Sequence, residues 1–240
     1  MKISILTIFP EMYEGFLTTS IIKKAIGLKL VEVEIVDFRA FTKDKHNRVD
    51  APPYGGGYGL VLLYQPIIDA LNSVKTKKSH VVMLGPAGST YNQTKVKEFC
   101  EIDHLILICG HYEGYDERIL THVDEVLSIG DYILTGGELA SMIVADSIIR
   151  LIPGVIREES HKYESFENNL LEHAQYTKPR EIDGLEVPDV LLSGHHKNID
   201  EFRRENSLKK TFKYRSDLLE KVDLTDDEKV FLEKIKKSND

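Results

Sequence analysis

Short apolar segments alternate with amphipathic ones over roughly the first 150 residues of the chain. Five of the apolar segments are rich in Ile, Val and Leu and end at a turn residue, which is typical of buried strands. Their sequences are KISILTI, VEVEIVDF, HVVMLG, HLILICG and DEVLSIG. Strands that alternate with helices form a mostly parallel sheet with helices on both faces. The pattern therefore predicts an α/β fold.

The segments between these strands have the period of amphipathic helices. The candidates are TSIIKKAIG, QPIIDALNSV, NQTKVKEFCEI and DERILTHV. A more apolar candidate, GELASMIVADSIIRLIPG, is expected to be buried and to be closed by Pro153 and Gly154. Toward the C-terminus, NIDEFRRENSLKKTF and DLTDDEKVFLEKIKK also predict helices.

Two polar stretches interrupt the alternation. Residues 41–62, FTKDKHNRVDAPPYGGGYGLVL, are rich in Gly, Pro and charge and predict a long functional loop. Residues 156–169, IREESHKYESFENN, have no steady period and predict a connection between two domains. We accordingly predict a catalytic domain at 1–157, a linker at 158–171 and a small helical domain at 172–240.

Composition is that of an ordinary globular protein, with 42% hydrophobic and 29% charged residues. No apolar run reaches the roughly 18 residues that a membrane span needs, and the N-terminus lacks the features of a signal peptide. The two cysteines, Cys100 and Cys109, form no CxxC pair, which argues against a disulfide scaffold or a zinc site. These features predict a cytoplasmic protein without membrane contact.

The net charge of −8 argues against nucleic-acid binding, but the charge is unevenly distributed. Between His195 and Arg215 there are seven basic and three acidic side chains, a net charge of +4 with histidines neutral. A charge run is usually a solvated face. In an acidic chain it also predicts contact with a nucleic-acid backbone, for which Arg203 and Lys209 are candidates.

Several common catalytic motifs are missing. The sequence has no GxxxxGK[ST], no GxGxxG after the first strand, no HExxH and no GxSxG. These absences argue against P-loop enzymes, dinucleotide-binding enzymes, Rossmann-type methyltransferases, zinc peptidases and serine hydrolases. His195 and His196 are adjacent but have no third ligand at suitable spacing, so no metal site is predicted.

Three glycine-bearing turns end successive strands: LGPAGSTYNQ, CGHYEGYDERI and SIGDYILTGGEL. Because ligands of parallel α/β proteins bind at the carboxyl ends of strands, we expect these turns to form one pocket from main-chain groups. The fixed positive charge in the turns is Arg118 alone, so phosphate would be repelled. We therefore predict that the pocket binds a cationic ligand with a flat heterocycle. The carboxylates of the turns are Glu113, Asp116, Glu117, Asp131 and Glu138.

These turns, with FPEM, DFRAFTKDKHNRVDAPPYGGGYGLVL, ESF and QYTKPREIDGLEVPDVLLSGHHKNIDEFRRENSLKKT, resemble the bacterial tRNA (guanine-N1)-methyltransferases of the SPOUT superfamily. The motifs follow in the same order from the first strand to about residue 213. The resemblance implies a deep trefoil knot, a small helical C-terminal domain, and a homodimer with the active site at the subunit interface. It also implies S-adenosylmethionine as cofactor and tRNA as substrate, methylated at the guanine 3′ of the anticodon (position 37).

The sulfonium of S-adenosylmethionine is a cation of the kind that the pocket favours. Gly136 and Gly137 would let the main chain approach this ligand, and backbone groups around Tyr132 and Leu134 would contact the adenine edge. By position, the resemblance assigns the cofactor contacts to Leu84, Gly85, Pro86, Gly110, Tyr112, Glu113, Ile129, Gly130, Tyr132, Leu134, Gly136 and Gly137.

Methylation of guanine N1 needs a base to take the N1 proton and a group that stabilises charge on O6. The resemblance implies that Glu164 is the general base and that Arg150 holds O6 or orients the base. Well-known family members have aspartate at the position of Glu164, and Glu172 and Glu159 are alternative bases. A base in the linker suits a loop that closes over a flipped nucleotide.

Further residues are assigned to substrate binding. Arg48 and Asp50 precede the GGGYG segment, which we expect near the target base or the cofactor, although a flexible turn would also explain the glycines. Ser165 follows the proposed base, and His195 would help to place the substrate or pack between domains. By itself, Arg150 is better explained as a helix cap.

Two other functions compete with this hypothesis. A knotted methyltransferase that acts on ribose 2′-hydroxyls needs no guanine-specific base, but the block QYTKPREIDGLEVPDVLLSGHH argues against it. An RNA-binding protein that has lost catalysis is supported only by the glutamate at position 164.

Overall fold

The computed structural model describes residues 1–157, 161 and 163–239. Contacts within the chain define two compact units. The first is Met1–Arg157, and the second consists of the described residues that follow it.

The strands of the first unit are, in chain order, β1 (Lys2–Thr7), β2 (Glu32–Asp37), β3 (Asp50–Ala51), β4 (Val61–Leu62), β5 (Ser79–Thr90), β6 (His104–Cys109) and β7 (Glu125–Ser128). Five of them form one sheet in the order β2–β1–β6–β5–β7, in which every neighbouring pair is parallel. β3 and β4 form a separate antiparallel pair. The predicted parallel sheet is confirmed.

The helices of the first unit are α1 (Glu14–Thr18), α2 (Ser20–Gly27), α3 (Tyr64–Val74), α4 (Gln93–Cys100) and α5 (Glu138–Ile149). Short 3₁₀ helices form at Pro10–Tyr13, Phe38–Phe41 and Glu117–His122. The segment DERILTHV is thus a 3₁₀ helix, whose N-cap Asp116 accepts a hydrogen bond from the Arg118 N–H. α5 ends at Ile149, before the Pro153 and Gly154 that were expected to close it.

Successive side chains of a strand point to opposite faces of the sheet, and both faces are buried. Ile5 and Leu107 belong to a core that includes residues of α2, α4 and α5. Leu6 and Ile106 belong to a second core, which includes residues of α3. Burial on both sides explains the continuous apolar runs, since each such side chain contributes about 1.5–3 kcal/mol when fully buried.

β5 continues past the turn that was predicted to end it. It pairs with β7 on both sides of a register shift between Leu84 and Ser89. A Cβ atom at Gly88 would lie 2.5 Å from the Cα of Leu127, so a glycine is required where the two backbones meet. The segment LGPAGST therefore forms an irregularity within a strand, in which residues 85–88 have no partner in the register with β7.

The second unit contains the hairpin of β8 (Glu181–Ile182) and β9 (Leu185–Glu186) and the helices α6 (His196–Tyr214) and α7 (Asp226–Asn239). Short 3₁₀ helices form at Asp189–Leu192 and Ser216–Lys221. Its small core is built on Leu170, Leu208 and Leu232. The two predicted C-terminal helices are confirmed. Thr225 and Glu228 start α7 by exchanging side-chain to backbone hydrogen bonds, which is a capping box.

Candidate functional site

A cavity of about 420 Å³ lies where the three glycine-bearing turns of the first unit meet. This volume is within the range of about 300–1,000 Å³ found for small-molecule sites. All of the residues assigned to cofactor contacts line it: Leu84, Gly85, Pro86, Gly110, Tyr112, Glu113, Ile129, Gly130, Tyr132, Leu134, Gly136 and Gly137. The structure brings these twelve residues together, and their contacts with a cofactor stay a prediction.

Eight further residues line this cavity and were not singled out from the sequence. Each is close in sequence to an assigned residue, so taking whole turns instead of motif positions would have included most of them. They are His111, Gly114, Tyr115, Leu127, Ser128, Ile133, Thr135 and Ala140.

The third turn is joined to the second by main-chain contacts at its two glycines. The Gly137 N–H donates to the Gly110 carbonyl at 2.8 Å, and His111 forms an antiparallel bridge with Gly136. A Cβ atom at Gly137 would lie 2.8 Å from the Cα of Cys109. The close approach at this glycine is therefore made to the end of β6, and a larger residue would push the two turns apart.

The second turn holds a residue in a conformation that is uncommon for non-glycine residues. Tyr112 has φ +60°, in the left-handed region, at a cost of about 1–3 kcal/mol. Its N–H donates to His111 Nδ1 at 2.9 Å, and the two rings pack edge to face with centroids 4.9 Å apart. The Tyr112 side chain is thereby held at the cavity wall, where it is exposed.

The glycine-rich loop at residues 41–62 is tied to the second turn. The Glu113 N–H donates to the Leu60 carbonyl at 3.1 Å, and the Leu62 N–H donates to the Gly114 carbonyl at 2.9 Å. A Cβ atom at Gly59, where φ is +76°, would overlap the Glu113 side chain. The loop therefore has one end fixed beside the cavity, and its nearness to a target base or cofactor stays a prediction.

Arg48 and Asp50 lie in this loop, but neither is among the described residues that line the cavity. Arg48 Nη2 is 2.8 Å from Asp44 Oδ1, and this hydrogen-bonded pair holds the pKa of the Asp44 carboxyl well below its usual range. Tyr54 and Tyr58, which flank the three consecutive glycines, have fully exposed side chains. The sequence analysis missed these two aromatics, although exposed rings can stack on nucleic-acid bases.

A buried polar network lies beneath the third turn. Glu138, the first residue of α5, is 2% exposed, and the Thr7 hydroxyl donates to its Oε1 at 2.8 Å. The Ser141 hydroxyl donates to the Glu138 carbonyl at 2.7 Å and lies 2.7 Å from the Tyr13 hydroxyl. Burial raises the pKa of the Cys109 thiol to about 12 and also raises the pKa of Tyr13, so both groups are neutral at pH 7.

A second cavity, of about 560 Å³, lies within the second unit. It is lined by Glu164 and Glu172, the two described candidates for the general base, and by Arg203. The Glu172 N–H donates to Ser165 Oγ at 3.0 Å, so this predicted substrate residue lies next to the wall of the same cavity. The third candidate base, Glu159, lies outside the described residues.

His173 also lines the second cavity, although no sequence feature marked it as a candidate site residue. Its Nδ1 atom is buried and has no hydrogen-bond partner among the described residues. Burial and then the positive charge of Arg203 lower the pKa of His173, so the imidazole is neutral at pH 7.

Arg150 and His195 both lie at helix ends. Arg150 is the C-cap residue of α5, and its N–H donates to the Asp146 carbonyl at 3.1 Å. This position fits the capping alternative as well as a role in substrate binding. His195 is the N-cap residue of α6, and its N–H donates to Ser193 Oγ at 3.2 Å.

The basic cluster at residues 195–215 lies mainly on α6, and ion pairs offset part of its charge. Four of its seven basic side chains are paired with carboxylates: Lys197, Arg203, Arg204 and Arg215. Within the described part of the chain, Lys209, Lys210 and Lys213 have no ion pair. The uncompensated charge is thus concentrated on the last turns of α6, where Lys209 is exposed.

The described residues contain neither a metal-ligand cluster nor a disulfide. Across the described residues, no three or more His, Cys, Asp or Glu side chains cluster as metal ligands do. Cys100 and Cys109 are free thiols. Of the described helices, none combines the length and the apolar character that crossing a membrane requires.

The family model and the similar proteins that follow all carry a description of the same activity. Residues 1–221 match the model of the family described as tRNA (Guanine-1)-methyltransferase TrmD. A protein from Malacoplasma penetrans is 57% identical over 218 residues, covering 91% of this chain and 96% of that protein. Proteins from Mycoplasma mycoides subsp. mycoides SC (53% over 221 residues, 92% of each chain) and Bacillus cereus strain AH820 (52% over 241 positions, 98% and 99%) are also similar. All three are named tRNA (guanine-N(1)-)-methyltransferase.

Proposed function

We propose a mechanism for this chain, which belongs to the tRNA (guanine-1)-methyltransferase TrmD family and methylates N1 of guanine in tRNA. That reaction requires a methyl donor. The proposal adds that the donor is S-adenosylmethionine and that the target is the guanine immediately 3′ of the anticodon, at position 37. It is carried by one observation, the meeting of three main-chain turns around a single cavity of suitable volume.

The charges around the first-unit cavity support a cationic ligand. Glu113 lines it, and the buried Glu138 lies beneath it, whereas Arg118 is paired with Asp116 at 2.6 Å. A sulfonium would be attracted there, and a phosphate would be repelled. Residues 131–135 lie outside helix and sheet, so main-chain groups around Tyr132 and Leu134 are available to pair with an adenine edge.

The residues of the second unit support the proton transfer. We assign Glu164 as the general base that takes the N1 proton, with Glu172 as the alternative, because both line one cavity large enough for a purine. Arg150 stabilises the negative charge that develops on O6. When bound, S-adenosylmethionine supplies an electrophilic methyl group and leaves as a neutral thioether. The nitrogen lone pair of N1 forms the new bond, and Glu164 later releases its proton to water.

Recognition of the tRNA is assigned to residues of both units. The exposed Lys209 on α6 suits contact with phosphates, and Arg203 lines the cavity that holds the proposed base. Four further residues are assigned to substrate binding from their positions in the sequence: Arg48, Asp50, Ser165 and His195. Because the substrate is a tRNA, we place the enzyme in the cytoplasm.

The proposal also includes a trefoil knot in a catalytic domain at 1–157, a linker at 158–171, a helical domain at 172–240 and a homodimer. In support of the knot, α5 returns from the edge strand β7 to contact β1 and β6. In support of the homodimer, Leu139 and Ile143 of α5 are each 47% exposed and, four residues apart, share one helix face. Exposed apolar patches of this kind mark interfaces.

A methyl-transfer assay tests the function. The protein is incubated with labelled S-adenosylmethionine and with tRNA transcripts that carry either G or A 3′ of the anticodon. Label is expected on the G transcript only, and nuclease digestion with mass spectrometry should identify it as N1-methylguanine. Label on ribose would instead indicate a 2′-hydroxyl methyltransferase, and tRNA binding without label would indicate an RNA-binding protein that has lost catalysis.

A further inference from the structure

Glu138 is a buried ionisable residue to which the proposed mechanism gives no part in the chemical step. It is 2% exposed, and no basic side chain in the described residues forms an ion pair with it. Burying a carboxylate is costly unless polar groups compensate for it. The hydrogen bond from Thr7 Oγ1 at 2.8 Å and the position at the positive end of α5 both stabilise a carboxylate here.

The carboxylate of Glu138 lies directly behind the wall of the first-unit cavity. Gly136 lines that cavity, and a Cβ atom at Gly136 would overlap Glu138 Oε2. The carboxylate therefore lies against Gly136, and the His111 ring lies beside the same Cβ position. At this short range, and shielded from water, a charge acts on a ligand more strongly than a surface charge does.

Thr7 connects the same carboxylate to the second turn. Its hydroxyl donates to Glu138 and accepts a hydrogen bond from the Phe9 N–H at 3.0 Å. The Phe9 ring in turn lies 5.1 Å, between centroids, from the ring of His111 in the second turn. One carboxylate thus combines two separable features, a negative charge near the ligand and an anchor that holds the third turn to the end of β1.

We propose that Glu138 is a positioning and specificity residue, whose buried charge favours the cationic methyl donor over the neutral thioether product. The inference rests on the proposed function, because it takes S-adenosylmethionine as the donor. The sulfonium is attracted through the Gly136 wall, whereas S-adenosylhomocysteine has the same nucleoside and amino acid but no charge on sulfur. Loss of the methyl group would therefore weaken binding and favour release of the product.

Two substitutions separate the charge from the anchor. Glu138→Gln keeps an oxygen acceptor for Thr7 but removes the charge, and Thr7→Val removes the hydrogen bond but keeps the charge. Calorimetry would give Kd for S-adenosylmethionine and S-adenosylhomocysteine with each protein. We expect Glu138→Gln to weaken donor binding roughly tenfold while product binding stays within about twofold. Thr7→Val should weaken both ligands by the same factor.

Equal losses of both ligands in Glu138→Gln would overturn the inference, since a purely structural residue affects both alike. Should circular dichroism show that this variant is unfolded, Glu138→Asp replaces it, because it keeps the charge but withdraws it by one methylene. Donor binding should again fall more than product binding, and equal losses would overturn the inference. A wild-type protein that binds neither ligand would refute the proposed cofactor, and this inference with it.

Discussion

At the residue scale, the proposed general base Glu164 stands where well-known members of the family have aspartate. Glu164 and Glu172 line the same cavity. The Glu172 carboxylate accepts a hydrogen bond from Gln175 Nε2 at 2.6 Å, and its main-chain N–H is bound to Ser165. The choice of Glu164 over Glu172 as the group that takes the proton therefore stays a prediction, which substitution of each residue tests.

Replacing Glu164 by glutamine should slow methyl transfer by at least roughly 100-fold, because the amide cannot accept the N1 proton. Donor affinity should not change, since the described residues that line the first-unit cavity all belong to the first unit. Single-turnover transfer rates and calorimetric Kd values measure the two effects. Glu172→Gln is the matched control, with an expected loss below about tenfold. A larger loss in the control than in Glu164→Gln would move the base to Glu172.

At the element scale, the apolar pattern was sufficient to predict the five strands of the sheet. Burial on both faces of the sheet produces nearly continuous runs of Ile, Val and Leu in these strands. The pattern could not predict that β5 continues beyond Leu84, since only pairing with β7 distinguishes a strand end from an irregularity. It also could not distinguish a 3₁₀ helix from an α-helix over the six residues of Glu117–His122. The two-residue strands β3 and β4 are too short to have a period.

The same reasoning explains what was predictable about the candidate site. The three turns could be assigned to one cavity from sequence, because the carboxyl ends of parallel strands share one sheet edge. The burial of Glu138 could not, because it depends on a hydrogen bond from Thr7, 131 positions away in the chain. Sequence placed Glu138 only among the carboxylates of the third turn.

Replacing Gly137 by alanine should displace the third turn. The new Cβ atom would lie 2.8 Å from Cys109 Cα, which is main chain and cannot rotate away. We expect the affinity for S-adenosylmethionine to fall more than about tenfold, measured by calorimetry. Gly15→Ala is the matched control, because nothing lies within 4 Å of its Cβ position. Equal affinity of the two variants would show that the turn does not need this close approach.

A buried histidine at the opposite sheet edge should make stability depend on pH. His104 Nε2 lies 2.9 Å from Ser4 Oγ in β1, and its Nδ1 lies 2.8 Å from Ser79 Oγ in β5. Burial, together with the positive charge of Lys2, lowers the pKa of His104 in the folded protein. The unfolded chain therefore binds the proton more readily, and the free energy of unfolding should decrease as pH falls below about 6.5.

Urea denaturation at about pH 7.5 and about pH 5.5 measures this loss. His104→Gln should show a smaller decrease in the free energy of unfolding than the wild type, because glutamine does not titrate. The comparison between variants is needed because His173, in the second unit, also has a lowered pKa. An identical decrease in both proteins would exclude His104 as its source.

At the scale of the whole molecule, the proposed activity depends on two surfaces that the acidic net charge of −8 does not indicate. One is the basic end of α6, where Lys209, Lys210 and Lys213 are without ion pairs in the described residues. The other is the exposed apolar face of α5, formed by Leu139 and Ile143. The first suits an RNA backbone and the second suits another copy of the chain.

Replacing Ile143 by aspartate should disrupt the proposed homodimer, because a charge would be buried in an apolar contact. Sedimentation equilibrium should give twice the chain mass for the wild type and the chain mass for the variant. If the active site lies at the subunit interface, loss of the dimer should also lower the rate of methyl transfer. Val230→Asp is the control, since Val230 is exposed on α7 in the second unit. A monomeric wild type with full activity would refute the dimer.

A crystal structure of the protein with S-adenosylhomocysteine tests most directly whether the first-unit cavity is the cofactor site. We expect the nucleoside to occupy the space between the turns at residues 84–86, 110–113 and 129–137, with adenine against the main chain near Tyr132 and Leu134. The thioether sulfur should face the wall at Gly136. Nucleoside bound elsewhere, with this cavity empty, would contradict the assignment of all three turns.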